Sequence, residues 1–288
     1  MTIDIICPLY NAEKYIEKQL KQIEKQSFYK YINNIRYIIT KGKDNTIDIV
    51  KKLQNENKKI LYKEIESKDF SHSLTREKEV FESLSDIVVF ITQDVVIERT
   101  DWLKNLVNPI ENNESDACYS RQICDNNTIE KYTRECNYPS KSRTTSKEDI
   151  SKYGLKTFFF SDASSAIKRE TFVKLNGYDQ KRLPISEDMY IAYKIIMNGY
   201  RIKYCADSEV IHSHEFTLKQ YYNRYKDTGK FFKENSYLNN YKVNKAGGNM
   251  AIYVLKRALQ DKNWNVLIKY IPNMAARFLG MNIGKRKV

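Results

Sequence analysis

Four carboxylates and a histidine pair stand where an α/β chain places its chemistry. The run Ile87-Val88-Val89-Phe90-Ile91 is β-branched and aromatic, reads as a strand buried on both faces of a parallel sheet, and ends in Thr92-Gln93-Asp94. An acid at the carboxyl end of such a strand is poorly placed for packing and well placed for ligands, which open α/β sheets bind there. The plainer alternative is that Asp94 caps the segment 95–102. Thr157-Phe158-Phe159-Phe160-Ser161-Asp162 repeats the pattern, an apolar run expected as a strand and closing on a carboxylate. Glu187 and Asp188 precede an amphipathic helix expected over 189–198, where both acids favour the helix dipole whatever else they do. His212 and His214 stand two apart at the end of a late strand, so they share one face.

The elements that must hold these residues alternate. Strands are expected over 3–7, 35–39, 59–63 and 87–91, with helices over 12–26, 46–54 and within 70–84 between them. Pro8 ends the first strand, because proline cannot continue a central ladder. Alternation at this length implies βαβ units and a parallel, doubly wound sheet. Beyond Trp102 come a helix over 103–110 and a strand over 117–123. The polar stretch 125–157 reads as a loop-rich excursion. Short strands are expected over 201–205 and 209–214. From 217 the chain reads as helical to about 232, then, past a Gly247-Gly248 hinge, over 250–259 and 264–279. The division expected is residues 1–216 and a helical appendage, 217–288.

The 288 residues can bury a full core, and a 41% hydrophobic, 30% charged composition excludes a disordered chain. No secretory leader is expected, nor any apolar run long enough to span a bilayer. Five cysteines, odd in number and without a CxxC pair, read as reduced and cytosolic, with a zinc site disfavoured. The net charge of +13 suits an anionic partner: nucleotide phosphate, anionic membrane or nucleic acid. The last is disfavoured, because no nucleic-acid-binding motif is present.

Five segments, in this order, carry a resemblance: Pro8-Leu9-Tyr10-Asn11, Phe70-Ser71-His72-Ser73-Leu74-Thr75-Arg76, Thr92-Gln93-Asp94, Ser186-Glu187-Asp188 and His212-Ser213-His214. Together they resemble inverting family 2 glycosyltransferases of GT-A fold, in the bacterial rhamnosyltransferase-like branch, over roughly residues 1–232. The resemblance implies a Rossmann-like doubly wound mixed sheet. It also implies transfer of a sugar, L-rhamnose from dTDP-rhamnose, onto a glycan acceptor during cell-surface polysaccharide or capsule assembly. Asp94 matches the last position of a DxD-like motif holding Mg²⁺ or Mn²⁺, with His214, or else His212, as a late ligand. Thr92 stands where that motif has its first acid, which implies fewer carboxylates on the metal. Asp188, with Glu187 second, matches the base that takes the acceptor proton. Pro8, Tyr10, Asn11, Lys43, His72, Arg76, Thr92 and Gln93 fall on the donor side, Asp162 on the acceptor side. Arg76 has the plainer reading of a helix-surface ion pair.

Three rivals stand beside this reading: the same fold with a UDP-hexose donor, a silent nucleotide-sugar or glycan-binding module, and a nucleic-acid protein. The basic and aromatic residues between Lys219 and Lys233, with the segment 264–287, fit peripheral contact with an anionic inner membrane face and a lipid-linked acceptor. Packing on the catalytic domain or in a homodimer is the alternative.

Overall fold

The computed structural model describes residues 1–241 and 246–286. One eight-stranded mixed sheet, in the order β3-β2-β1-β4-β7-β5-β8-β6, organises the chain. The first half follows the sequence closely. Strands β1 (Ile3–Leu9), β2 (Ile32–Thr40), β3 (Ile60–Ile65) and β4 (Ile87–Ile91) are mutually parallel. They are linked by α1 (Ile16–Glu24), α2 (Thr46–Glu56) and α3 (His72–Glu82). Along β4, Ile87, Val89 and Ile91 pack with α1, α2 and α4 (Trp102–Glu111), while Val88 and Phe90 face the opposite layer. Both faces are therefore covered, as a run without polar alternation requires.

The second half departs from strict parallelism. Strand β5 (Ala117–Ile123) is followed by α5 (Ile129–Asn137), β6 (Arg143–Thr145) and α6 (Ile150–Tyr153). Then come β7 (Ser164–Lys168), α7 (Arg169–Lys174), α8 (Glu187–Met197) and β8 (Ile202–Ile211). Strand β7 runs antiparallel between β4 and β5, and β6 runs antiparallel to β8 at the edge. The parallel sheet that alternation alone implies holds for β1 to β4, and the sheet as a whole is the mixed one that the resemblance implies.

Four local expectations are corrected. Residues 157–162 are not a strand: Gly154–Phe158 form a 3₁₀ turn, and Phe158 and Phe160 plug the core beside β7. The strand begins later because its small residues fit there, Ser164 Oγ accepting from Trp102 Nε1 at 3.0 Å. The stretch 125–157 contains α5, whose apolar side meets helices more than 100 residues away in sequence. The two late strands are one, β8, with a register irregularity opposite Ser120 and Arg121. His212 and His214 follow its end.

Three helices complete the chain: α9 (Leu218–Glu234), α10 (Ala246–Gln260) and α11 (Trp264–Lys285). The expected glycine hinge falls in the first turn of α10, and Lys287 lies outside the described residues. Helices α9 and α11 approach until their backbones touch. A Cβ on Gly280 would stand 2.3 Å from Tyr222 O, and one on Gly284 2.0 Å from Lys226 O. Among the described residues no helix is long and apolar enough to cross a membrane.

Candidate active site

The carboxyl ends of β1 and β4 are tied together before any ligand arrives. Gln93 bridges them, accepting from Tyr10 N at 2.8 Å and donating to Tyr10 O at 3.0 Å. From beneath, the buried Gln19 amide donates to Thr92 O at 2.9 Å and Gln93 O at 3.2 Å, fixing the turn that presents Asp94. Pro8 does not end β1 as expected: it stands opposite Ile38 of β2, and Leu9 carries the ladder one residue further, opposite Ile39. Asn11 takes a left-handed φ of 47°, and its Oδ1 accepts from Lys43 N at 2.9 Å. That oxygen occupies the place of a side chain on Gly42, 2.1 Å from where its Cβ would lie. The Tyr10 ring projects into solvent above this edge.

Asp94 faces the two histidines. Its Oδ2 lies 3.5 Å from His212 Nε2 and 3.8 Å from His214 Nδ1, and the rings meet edge to face with centroids 4.4 Å apart. The His212 tautomer follows from its other nitrogen. Gln122 Oε1, which also accepts from Arg134, lies 2.8 Å from Nδ1 and can only accept, so Nδ1 carries the proton. Arg134 Nη2 stands farther off, at 3.4 Å. The Nε2 lone pair therefore points at the carboxylate, an arrangement that repels unless a cation lies between. Burial pushes both imidazoles down, His214 to about 4, so both are neutral at neutral pH. Burial works to raise Asp94, but the histidines outweigh it and hold the carboxyl well below the usual range. One carboxylate and two neutral imidazoles, with ligand atoms within 4.8 Å of one another, fit a divalent cation.

A second acidic group lies across β7. Arg76 of α3 is buried, and its Nη1 donates to Glu187 Oε1 at 2.7 Å. The helix-surface ion pair read from the sequence is thus an interior one. Burial opposes the guanidinium's charge, but Asp162 and Glu187 outweigh it and keep Arg76 protonated. Asp162, expected on the acceptor side, is an interior carboxyl. It is 2% exposed, Oδ2 accepts from Tyr178 at 2.8 Å and Oδ1 from Ser165 at 2.9 Å. Its segment joins the two groups, for Ala163 O accepts from Thr92 N at 3.2 Å while Asp162 O faces Arg76 Nη2 at 3.5 Å. Asp188 is the second residue of α8, just after Ser186, whose left-handed φ of 61° turns the chain into the helix. Asp188 Oδ1 accepts from Met189 N at 2.7 Å, and among the described residues nothing hydrogen-bonds its Oδ2. Desolvation, then repulsion from Glu187 and Asp162, pushes its pKa well above the ordinary carboxylate range. His72 lies exposed in the first turn of α3, edge-on to Phe70.

Four residues of this site carry no motif and escape a sequence reading as site residues: Gln19, Gln122, Arg134 and Arg224. Arg224 on α9 lies 5.8 Å from the Phe216 ring, which itself stacks on His214 at 4.8 Å. Its density of basic and aromatic neighbours is visible in the sequence, its place beside the histidines is not.

Comparison with known proteins places this geometry. The model of "Glycosyl transferase family 2" matches residues 4–175. The O-antigen chain rhamnosyltransferase RfbN of Salmonella typhimurium is 37% identical over 234 residues, 80% of this chain and 72% of that protein. The O-antigen chain rhamnosyltransferase WbaN of Salmonella anatum is 34% identical over 228 residues, 77% and 71% respectively. The mannosyltransferase PcManGT of Pyrobaculum calidifontis, solved with GDP-Man and Mn²⁺, shares the fold at a TM-score of 0.64 and 15% identity. That match covers 98% of this chain and 84% of that one. By the family match and the two relatives, the protein belongs to glycosyl transferase family 2 and is an inverting glycosyltransferase of polysaccharide synthesis.

Proposed function

We propose that the enzyme transfers L-rhamnose from dTDP-rhamnose to a hydroxyl of a growing, lipid-linked glycan, at the cytoplasmic face of the membrane. The sugar follows the two Salmonella relatives, both O-antigen chain rhamnosyltransferases. The observation that carries the chemistry is the pairing of an Asp94–His212–His214 cluster with a Glu187–Asp188 pair along one sheet edge. Asp188 takes the acceptor proton on its free Oδ2 as the hydroxyl oxygen bonds to the anomeric carbon. The bond from that carbon to the diphosphate oxygen breaks on the opposite face, which inverts the centre and releases the nucleoside diphosphate. Arg76 holds Glu187 beside the base, so Glu187 sets the base's field. Asp94, His214 and His212 would hold a divalent cation, Mg²⁺ or Mn²⁺, which neutralises charge on the leaving diphosphate. Pro8, Tyr10, Asn11 and Lys43 border the nucleoside, while Thr92, Gln93, His72 and Arg224 border the diphosphate and sugar. Residues 1–216 carry the transfer, and the helices from 217 onward serve the acceptor side.

Titration with dTDP-rhamnose and a series of UDP-sugars, with Mn²⁺ and again with EDTA, tests the reading. Metal-dependent selection of dTDP-rhamnose is expected. Selection of a UDP-hexose would replace the donor, and binding of none would leave the proposed donor and cation site without support.

A further inference from the structure

Helix α11 is amphipathic in the reverse sense. Apart from Val266 in its first turn, the residues it buries are polar or small: Asn273 and Arg277 are 4% and 5% exposed, and Gly280 and Gly284 meet the α9 backbone. Arg277 gives Nη2 to Glu130 at 3.0 Å and Nε to Asn273 at 2.7 Å. The side it turns outward is apolar. Trp264, Ile268, Ile271 and Phe278 expose between 68% and 76% of their surface, with Leu279 and Ile283 beside them. Spacings of four, three and seven put these residues on one stripe along a helix of 22 residues. Such a row on a soluble surface marks an interaction face.

Charge selects the occupant. Between residues 246 and 286 stand seven Lys and Arg and one acid, Asp261. From Trp264 to Arg286 there is no acid at all. Lys262, Lys269, Lys285 and Arg286 lie exposed around the stripe. A second copy seated face to face would bring like charges together, since a two-fold contact pairs a surface with itself. An anionic lipid surface neutralises them while taking up the apolar row.

We propose that the outward face of α11 docks on an anionic bilayer, lying along its interface with Trp264, Ile268, Ile271 and Phe278 in the acyl boundary. This deepens the reading of a lipid-linked acceptor and stands on its own surface, away from the transfer chemistry.

Full-length protein is mixed with vesicles of phosphatidylglycerol and phosphatidylethanolamine, or of phosphatidylcholine alone, and sedimented. Binding to the anionic vesicles, weakened by salt, is expected. The double variant Ile268→Glu/Phe278→Glu should bind about tenfold or more weakly, on the order of removing two partly inserted side chains. Wild-type fluorescence gives a reading independent of any variant. Trp102 is buried and Trp264 exposed, so a blue shift on vesicle addition reports Trp264 entering the boundary. Failure of the wild type to bind anionic vesicles overturns the proposal. So does a wild-type dimer in light scattering that the double variant dissolves, which would assign the stripe to a second copy. Titration of the donor in the same samples separates the two readings. Donor binding without vesicle binding sinks only the docking face, and vesicle binding without any donor sinks only the proposed donor.

Discussion

Asp94 and Asp188 are the same side chain at one edge of one sheet, driven in opposite directions. Asp94 faces two imidazoles and is held well below the usual carboxylate range. Asp188 is desolvated, faces two further carboxyls and is pushed well above it. The difference lies in the neighbours. Around Asp94 the polar groups are a neutral pair with a gap suited to a cation, so a permanent anion is useful there. Around Asp188 three carboxyls share the Arg76 guanidinium, and not all can keep a charge. A group so placed takes up a proton readily. One anion is built to stay charged and the other to change.

Removing the proposed proton acceptor should have the largest effect. Asp188→Asn is expected to lower kcat by about 10²–10⁴-fold, the usual worth of a general base. Donor affinity, measured by calorimetry, should hold. An equal loss of donor binding would mean the two carboxylates do not divide the work. The same substitution has a stability consequence of opposite sign. A carboxyl whose folded pKa is raised contributes stability that is full below its unfolded pKa, near 4, and is lost as pH rises through the folded value. An amide in its place does not titrate and has no such loss, so the variant's Tm should exceed the wild type's at mildly alkaline pH. Next, Arg76→Met leaves Glu187 without its cation and should cost about 3–5 kcal/mol in a denaturant melt, the range for breaking a buried pair. A smaller effect is expected at the other anion. Gln122→Ala frees the His212 tautomer and should weaken divalent-metal affinity about 10–100-fold, read by metal titration of donor binding. The pH profile should show the least change in magnitude. The ascending limb of kcat should lie above the ordinary carboxylate range, because the proposed base Asp188 accepts a proton only when ionised. A limb near pH 4 would remove the distinction between the two acids.

How much of this was readable beforehand depended on range. Val88, Val89 and Phe90 announce a two-faced strand by composition alone, and Asp94 follows from where such a strand must stop. The apolar run at Phe158 to Phe160 misleads because, without alternation, a core plug and a strand share a composition. Helix α5 hides because Ile129 and Tyr132 find their partners, Val254, Ala258 and Val266, only after another 120 residues or so of chain. Neutral amides such as Gln19 and Gln122 carry no motif, and their roles exist only once three strands have converged. Arg76 and Glu187 are 111 positions apart, so their ion pair is a product of the fold.

The Arg277–Glu130 pair has a consequence for how the tail can be studied. Glu130 sits one turn before Arg134 on α5, and Arg134 holds the amide that fixes His212. Cutting the chain before α11 would strand Glu130 as an unneutralised interior charge and loosen that turn of α5. A truncated enzyme would then lose activity through the proposed Asp94–His212–His214 cation site, and the loss would be misread as loss of acceptor. In this protein the appendage is wired into the active site, and point substitutions on its outer surface are the clean way to separate the two.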